Sequence, residues 1–156
     1  MLAALEATGL PYERIEIDPA LADTADFCAA YGYAPEASGN CILVASRTTP
    51  PRLAACLALA TTRLDVNKRV RRLLEVRKLS FASAELTREV TGMAIGGVTP
   101  FGLPDTVTDR FADARIADLD RVIVGGGSRA LKLSVPPAAL AAVGFRFVED
   151  LATPLA

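Results

Sequence analysis

The chain has 156 residues, 51% of them hydrophobic, with 17 basic and 18 acidic side chains and a formal net charge of -1. That length fits a single domain spanning 1–156, able to bury roughly 70% of the surface its unfolded form exposes; the near-neutral balance excludes gross attraction to nucleic acid and leaves a local basic patch free to bind it. Histidine is absent, which excludes Ser-His-Asp and Cys-His nucleophilic schemes and histidine-based metal sites.

The elements follow in chain order. "LAALEATG" predicts a short helix stopped by Gly9, and "YERIEI" a short strand after Leu10-Pro11. "DTADFCAAYG" predicts a helix with Asp23 or Thr24 as N-cap and Gly32 as stop. "NCILVAS" and "AACLALATT" are continuous apolar runs of strand length, expected to be buried on both faces and joined as a hairpin across Pro50-Pro51. "RLDVNKRVRRLLEVRK" reads as a helix capped by Asp65, with Val66, Val70, Leu73 and Leu74 facing inward. A further helix is expected from Ser83 to a stop at Gly92, then short strands near "DTVTD", "RVIVGG" and "ALKLSV". "PPAALAAVG" reads as a helix with proline in its first turn, and "FRFVED" as the last strand. Short strands mixed with a few helices, without regular βα alternation, predict an α+β fold.

No apolar run approaches the roughly 18 residues of a membrane span, and the opening "MLAALEATGLPYERIEID" lacks a basic leader segment. A cytoplasmic protein with no membrane partner is therefore expected. Cys28, Cys41 and Cys56 form no C-x-x-C, so neither a disulfide framework nor a metal site is implied. Cys41 and Cys56 lie in apolar runs and read as core residues.

Four features could carry chemistry. Lys68, Arg69, Arg71, Arg72, Arg77 and Lys78 are opposed in their span only by Glu75. On a helix Lys68, Arg71 and Arg72 share a side away from the apolar stripe, where they either contact phosphates or form a solvated face. "GGVTPFGLP", Gly96 to Pro104, is either a plain connection or a pocket wall, since glycine lets backbone approach a ligand closely and proline stiffens the loop. "VGGGSRALKL" places three glycines and Ser128 after an apolar strand, as a tight turn or a hydroxyl-bearing loop; it has neither P-loop nor dinucleotide spacing. Asp105, Asp109 and Asp113 lie four apart, a possible carboxylate pair on a helix and a plain surface series on a strand.

In order, "RLDVNK", "KLSFASAELTREVTGMAIGGVTPFGL", "VTD" and "RVIVGGGSRALKLSVPPAAL" resemble the YbaK/ProX aminoacyl-tRNA editing family, which includes trans-acting deacylases and the editing insertion of bacterial prolyl-tRNA synthetases. The resemblance is clear from about Asp65 to Leu140 and looser before it. It implies a compact mixed β-barrel-like sheet with surrounding helices, no cofactor, and hydrolysis of the ester that joins a wrong amino acid to the 3′ adenosine of a tRNA, with alanyl- or cysteinyl-tRNA for proline as first candidates. The family's G-x-x-x-P loop matches Gly96, Gly97 and onward to Pro100, which makes these residues a pocket wall, with Asp109 and the Gly126-Gly127-Ser128 turn near it. Lys68, Arg71 and Arg72 become candidates for the tRNA acceptor end. Family deacylases carry a lysine near the start of the first buried strand, and Asn40 stands in its place in "EASGNCILV". Lys68 and Arg47 are the candidates to replace that charge. The replacement also opens a second reading, a catalytically impaired module of the same fold that binds tRNA or a synthetase.

Overall fold

A computed structural model describes residues 2–155. Its elements are helices α1 (Leu2–Glu6), α2 (Thr24–Tyr31), α3 (Arg71–Leu74), α4 (Ala84–Thr91) and α5 (Pro137–Ala142). The strands are β1 (Glu13–Glu16), β2 (Gly39–Ser46), β3 (Leu53–Leu59), β4 (Thr62–Leu64), β5 (Leu79–Phe81), β6 (Asp109–Asp113), β7 (Val122–Gly125), β8 (Leu131–Val135), β9 (Arg146–Val148) and β10 (Ala152–Pro154). The fold is α+β, as expected, but the strands close no barrel. They form a five-stranded sheet in the order β5-β2-β3-β6-β9, a three-stranded sheet β1-β8-β7 and a two-stranded sheet β10-β4.

The five-stranded sheet grows from the β2–β3 hairpin, antiparallel with Asn40 opposite Ala58 and Val44 opposite Ala54. Strand β3 is buried along its whole length, which its continuous apolar sequence requires. Its Leu53, Ala55, Leu57 and Leu59 face Val122, Val124, Leu133 and Val135 of the three-stranded sheet across the main core. The alternate residues Ala54, Cys56 and Ala58 meet Val66, Val70 and Leu74 on the other face. Strand β2 departs from expectation: its second half is buried, but Asn40 is exposed and Cys41 and Ile42 are only half-buried. That open end of the sheet borders a cleft.

Three other readings are corrected. The segment 105–108 is a turn followed by two loop residues, and the strand begins after it, at Asp109, in parallel register with Ala54 of β3. The basic helix is shorter than its pattern: a π-helical turn over Val66–Val70 is followed by one α turn, α3, which Glu75 ends with φ 55°. The chain must reverse there, because Leu79 pairs with Ser46 as β5 joins the sheet edge. The last strand stops at Val148, and β10 follows it to pair with β4. Asp65 caps the π turn by accepting from the Lys68 N–H, and Ser83 caps α4 by accepting from the Leu86 N–H. No helix among the described residues is long and apolar enough to cross a membrane.

Candidate functional site

A cleft of about 240 Å³ opens where β2 begins. Gly39 to Ile42 form one side; Ala22, Asp23 and Thr24, leading into α2, form the second. Ile95, Gly96 and Val98 supply the third, and Gly125 with Lys132 the base. The Thr24 hydroxyl donates to the Asn40 side-chain carbonyl, which ties the start of α2 to the start of β2.

The two glycine stretches meet behind this cleft. The Gly127 N–H donates to the Gly97 carbonyl at 2.8 Å. A Cβ at Gly97 would lie 2.7 Å from the Ser128 carbonyl carbon, so backbone packs on backbone and no side chain fits. Gly96 has φ 93°, a conformation glycine adopts without penalty. Gly97 spends its own N–H on the Ala94 carbonyl at 2.9 Å, whereas the N–H groups of Gly96 and Val98 donate to no other backbone carbonyl among the described residues. The two unengaged amides thus belong to residues that line the cleft, and backbone amides of this kind can hold a ligand oxygen.

Lys132 was not singled out by sequence. It lies on β8 opposite Gly125 of β7 and Ile15 of β1. Alternation from Leu131 and Leu133, which enter the main core, assigns Lys132 to the outer face of the sheet, where a lysine normally meets water. Here α2 covers that face through Phe27, so Lys132 is only 6% exposed and its ammonium stands 5.4 Å from the Phe27 ring centre. Burial lowers its pKa from the usual 10.5; the nearby Cys28 and Asp23 act in the opposite direction, and Arg129 reinforces the lowering. Asp23 is exposed and pairs with Arg129 at 3.5 Å. Arg129 also donates to the Ile95 carbonyl at 3.0 Å, which holds the glycine loop to the Ser128 turn. Burial pushes the Cys41 thiol up to about 12, so at neutral pH it is no thiolate nucleophile.

Asn40 and Gly96 therefore line the cleft, while Gly97, Pro100, Gly127 and Ser128 are not among its lining residues. Pro100 is buried, and the Ser128 hydroxyl accepts from the Ala130 N–H as a turn cap. Asp109 is not among the lining residues. It sits opposite Ala54, four residues along β3 from Asn40's partner Ala58, about 13 Å at the usual strand rise. Its carboxylate is engaged by Arg52 at 3.1 Å. Lys68, Arg71 and Arg72 do not line the cleft either. Arg71 joins Arg47, Arg77 and Lys78 around a separate depression at the far end of β2. Neither Arg47 nor Lys68 thus lines the cleft beside Asn40.

Comparison with known proteins identifies the family and the fold. The family model described as an aminoacyl-tRNA editing domain matches residues 18–143, a span that includes every residue lining the cleft. The hypothetical protein APE2540 superposes with a TM-score of 0.83 at 22% identity, covering 95% of each chain. A "putative trans-editing enzyme for prolyl tRNA synthetase" superposes with a TM-score of 0.79 at 23% identity, covering 98% of this chain and 94% of that one.

Proposed function

The chain belongs to the aminoacyl-tRNA editing domain family, and from that premise we propose that it is a trans-acting deacylase that hydrolyses the ester of mischarged tRNA. The observation that carries this reading is the pair of unengaged backbone amides, Gly96 and Val98, in a cleft whose one thiol, Cys41, is held protonated at neutral pH. Ester hydrolysis needs stabilisation of the oxygen that becomes negative in the tetrahedral intermediate, and preorganised amides supply it. Water attacks the ester carbonyl carbon, the carbonyl oxygen takes the charge toward these amides, and the C–O bond to the ribose breaks as that bond's electron pair returns to the 3′ oxygen. The proton released by the water passes to that oxygen, with the neighbouring ribose hydroxyl orienting the water. The protein then has no general base to provide, consistent with a chain that lacks histidine.

The cleft volume is below the roughly 300–1,000 Å³ of drug-sized sites, which favours a small aminoacyl group. Alanyl- and cysteinyl-tRNA for proline are the first candidates, in line with the structural neighbour described as trans-editing for prolyl tRNA synthetase. Gly97, Pro100, Gly127 and Ser128 shape the wall in this reading, and Lys68, Arg71 and Arg72 take the tRNA itself. The deciding test is hydrolysis of a panel of mischarged tRNAs against a no-enzyme control. Clearance of one species is expected. No clearance across a panel that an active family member processes would sink the deacylase reading in favour of a binding module for tRNA or a synthetase, the reading that Asn40 motivates. Undiminished hydrolysis of a substrate lacking the terminal ribose hydroxyl would overturn the substrate-assisted step.

A further inference from the structure

Lys132 is a buried cation without a counter-ion. It joins none of the three ion pairs among the described residues, Arg52–Asp109, Arg115–Asp113 and Arg129–Asp23. No fully enclosed side-chain nitrogen or oxygen among those residues lacks a partner. The Lys132 ammonium makes no hydrogen bond there, so it is the end of the side chain that opens to the cleft it lines. Isolated charges are expensive to bury, and an ammonium held this way has an oxygen ligand as its natural complement.

The surroundings direct it further. Directly opposed residues on neighbouring strands share a face, and the residue opposite Lys132 is Gly125, which has no side chain to cover it. A Cβ at Gly125 would collide with the Val98 carbonyl, so the Gly96–Val98 loop comes in close beside Lys132. The ammonium and the unengaged Gly96 and Val98 amides thus belong to residues that line one cleft. Phe27 beneath the lysine, itself stacked at 5.1 Å on Tyr33, fixes its position. Asp23, the one carboxylate lining the cleft among the described residues, offers the opposite charge, a complement to the α-ammonium of an aminoacyl group.

We propose that Lys132 is a catalytic residue of this cleft, its ammonium contacting the ester carbonyl oxygen as negative charge develops there, alongside the Gly96 and Val98 amides. The lysine keeps its proton throughout; it supplies charge, and the hydrolytic bond changes stay as described above. A cation thus enters from β8 at a site where β2 brings only Asn40. The proposal rests on the deacylase reading.

The test uses the full chain and the aminoacyl-tRNA it clears. Lys132→Met should lower kcat about 100-fold, the scale of losing one oxyanion donor, with KM changed less than threefold. Lys132→Arg should retain activity and change the pH profile. Corrected for uncatalysed hydrolysis, the unaltered enzyme should lose rate on the alkaline side below pH 10.5, the ordinary lysine value, as Lys132 deprotonates among Asp23, Arg129 and Cys28. The arginine variant should show no such loss, since its side chain stays charged. Placing a lysine on the opposite side by Asn40→Lys in the Lys132→Met background should recover at least tenfold. No turnover by the unaltered protein overturns the deacylase reading and this assignment with it. Turnover by the unaltered protein and a kcat within threefold in Lys132→Met overturn the Lys132 assignment alone, as does an effect confined to KM, which would place the ammonium on a substrate phosphate instead.

Discussion

At Gly97 a single hydrogen is all that separates two stretches of backbone, and the position tests the packing behind the cleft. Gly97→Ala forces the loop away from Ser128 and should destabilise the protein by about 1–3 kcal/mol, read as a lower denaturant midpoint with an unchanged slope. An unchanged midpoint would mean that the two glycine stretches do not touch. Lys132 makes the opposite prediction. Its folded pKa lies below the unfolded value, so the unfolded chain holds the proton more tightly. Stability then rises with pH from the folded pKa toward 10.5, and at neutral pH the charged lysine is a cost. Lys132→Met should therefore raise stability at pH 7, the common direction when a strained functional position is relieved. The gain should shrink as pH approaches 10.5; a gain independent of pH would show that packing and not charge is responsible. Cys41 offers a third residue-scale check: with its thiol pushed up to about 12, alkylation at pH 8 should be far slower in the folded than in the unfolded chain. Equal rates would show that its surroundings do not hold the thiol protonated.

Elements here are read well where caps punctuate them and poorly where a partner strand decides. Helix α4 was legible as a span from Ser83 to a stop at Gly92, and the structure adds the cap: the Ser83 hydroxyl accepts from the Leu86 N–H at 3.0 Å, and Gly92 takes φ 74°. Ser83→Ala should cost about 1 kcal/mol, and a Ser83→Asp replacement should keep most of it. The basic segment was not legible in the same way, since Val66, Val70 and Leu74 do keep helical spacing and enter the core, but the need to deliver Leu79 to the sheet edge ends the helix at Glu75. Strand β6 was displaced by four residues, because pairing with β3 and β9, and not the β-branched "TVT", selects what becomes strand. Asp109 at its start ties Arg52 to the sheet, and Arg52 in turn donates to the Leu74 carbonyl. This pair is partly exposed, so Asp109→Ala should cost no more than about 1 kcal/mol and leave deacylation within twofold. A large loss of turnover with intact folding would return Asp109 to the reacting centre.

On the scale of the whole molecule the cleft and the basic patch stand at opposite ends of β2. Arg47 is seven residues from Asn40, about 23 Å at the usual strand rise. If the basic segment that leads into this patch holds the tRNA body, Lys68→Ala with Arg72→Ala should weaken tRNA binding and lower the salt slope by about 0.7–0.9 for each phosphate that is no longer neutralised. Hydrolysis of a short aminoacyl-adenosine ester, too small to reach the patch, should not change; an equal loss on both substrates would argue for a folding defect. Both side chains are exposed, and neither belongs to the core. Residue types, caps and apolar runs were enough to establish an α+β chain without histidine chemistry and the β2–β3 hairpin, because these depend on local backbone freedom and on what must leave water. The closing of α2 over β8 was not written in any local pattern. A lysine alternating with leucines reads as solvent-facing until Phe27, more than a hundred residues earlier in the chain, is folded across it. Long-range packing alone turned that exposed position into a buried charge, and moved the cleft's cation from the strand where the resemblance placed it to another.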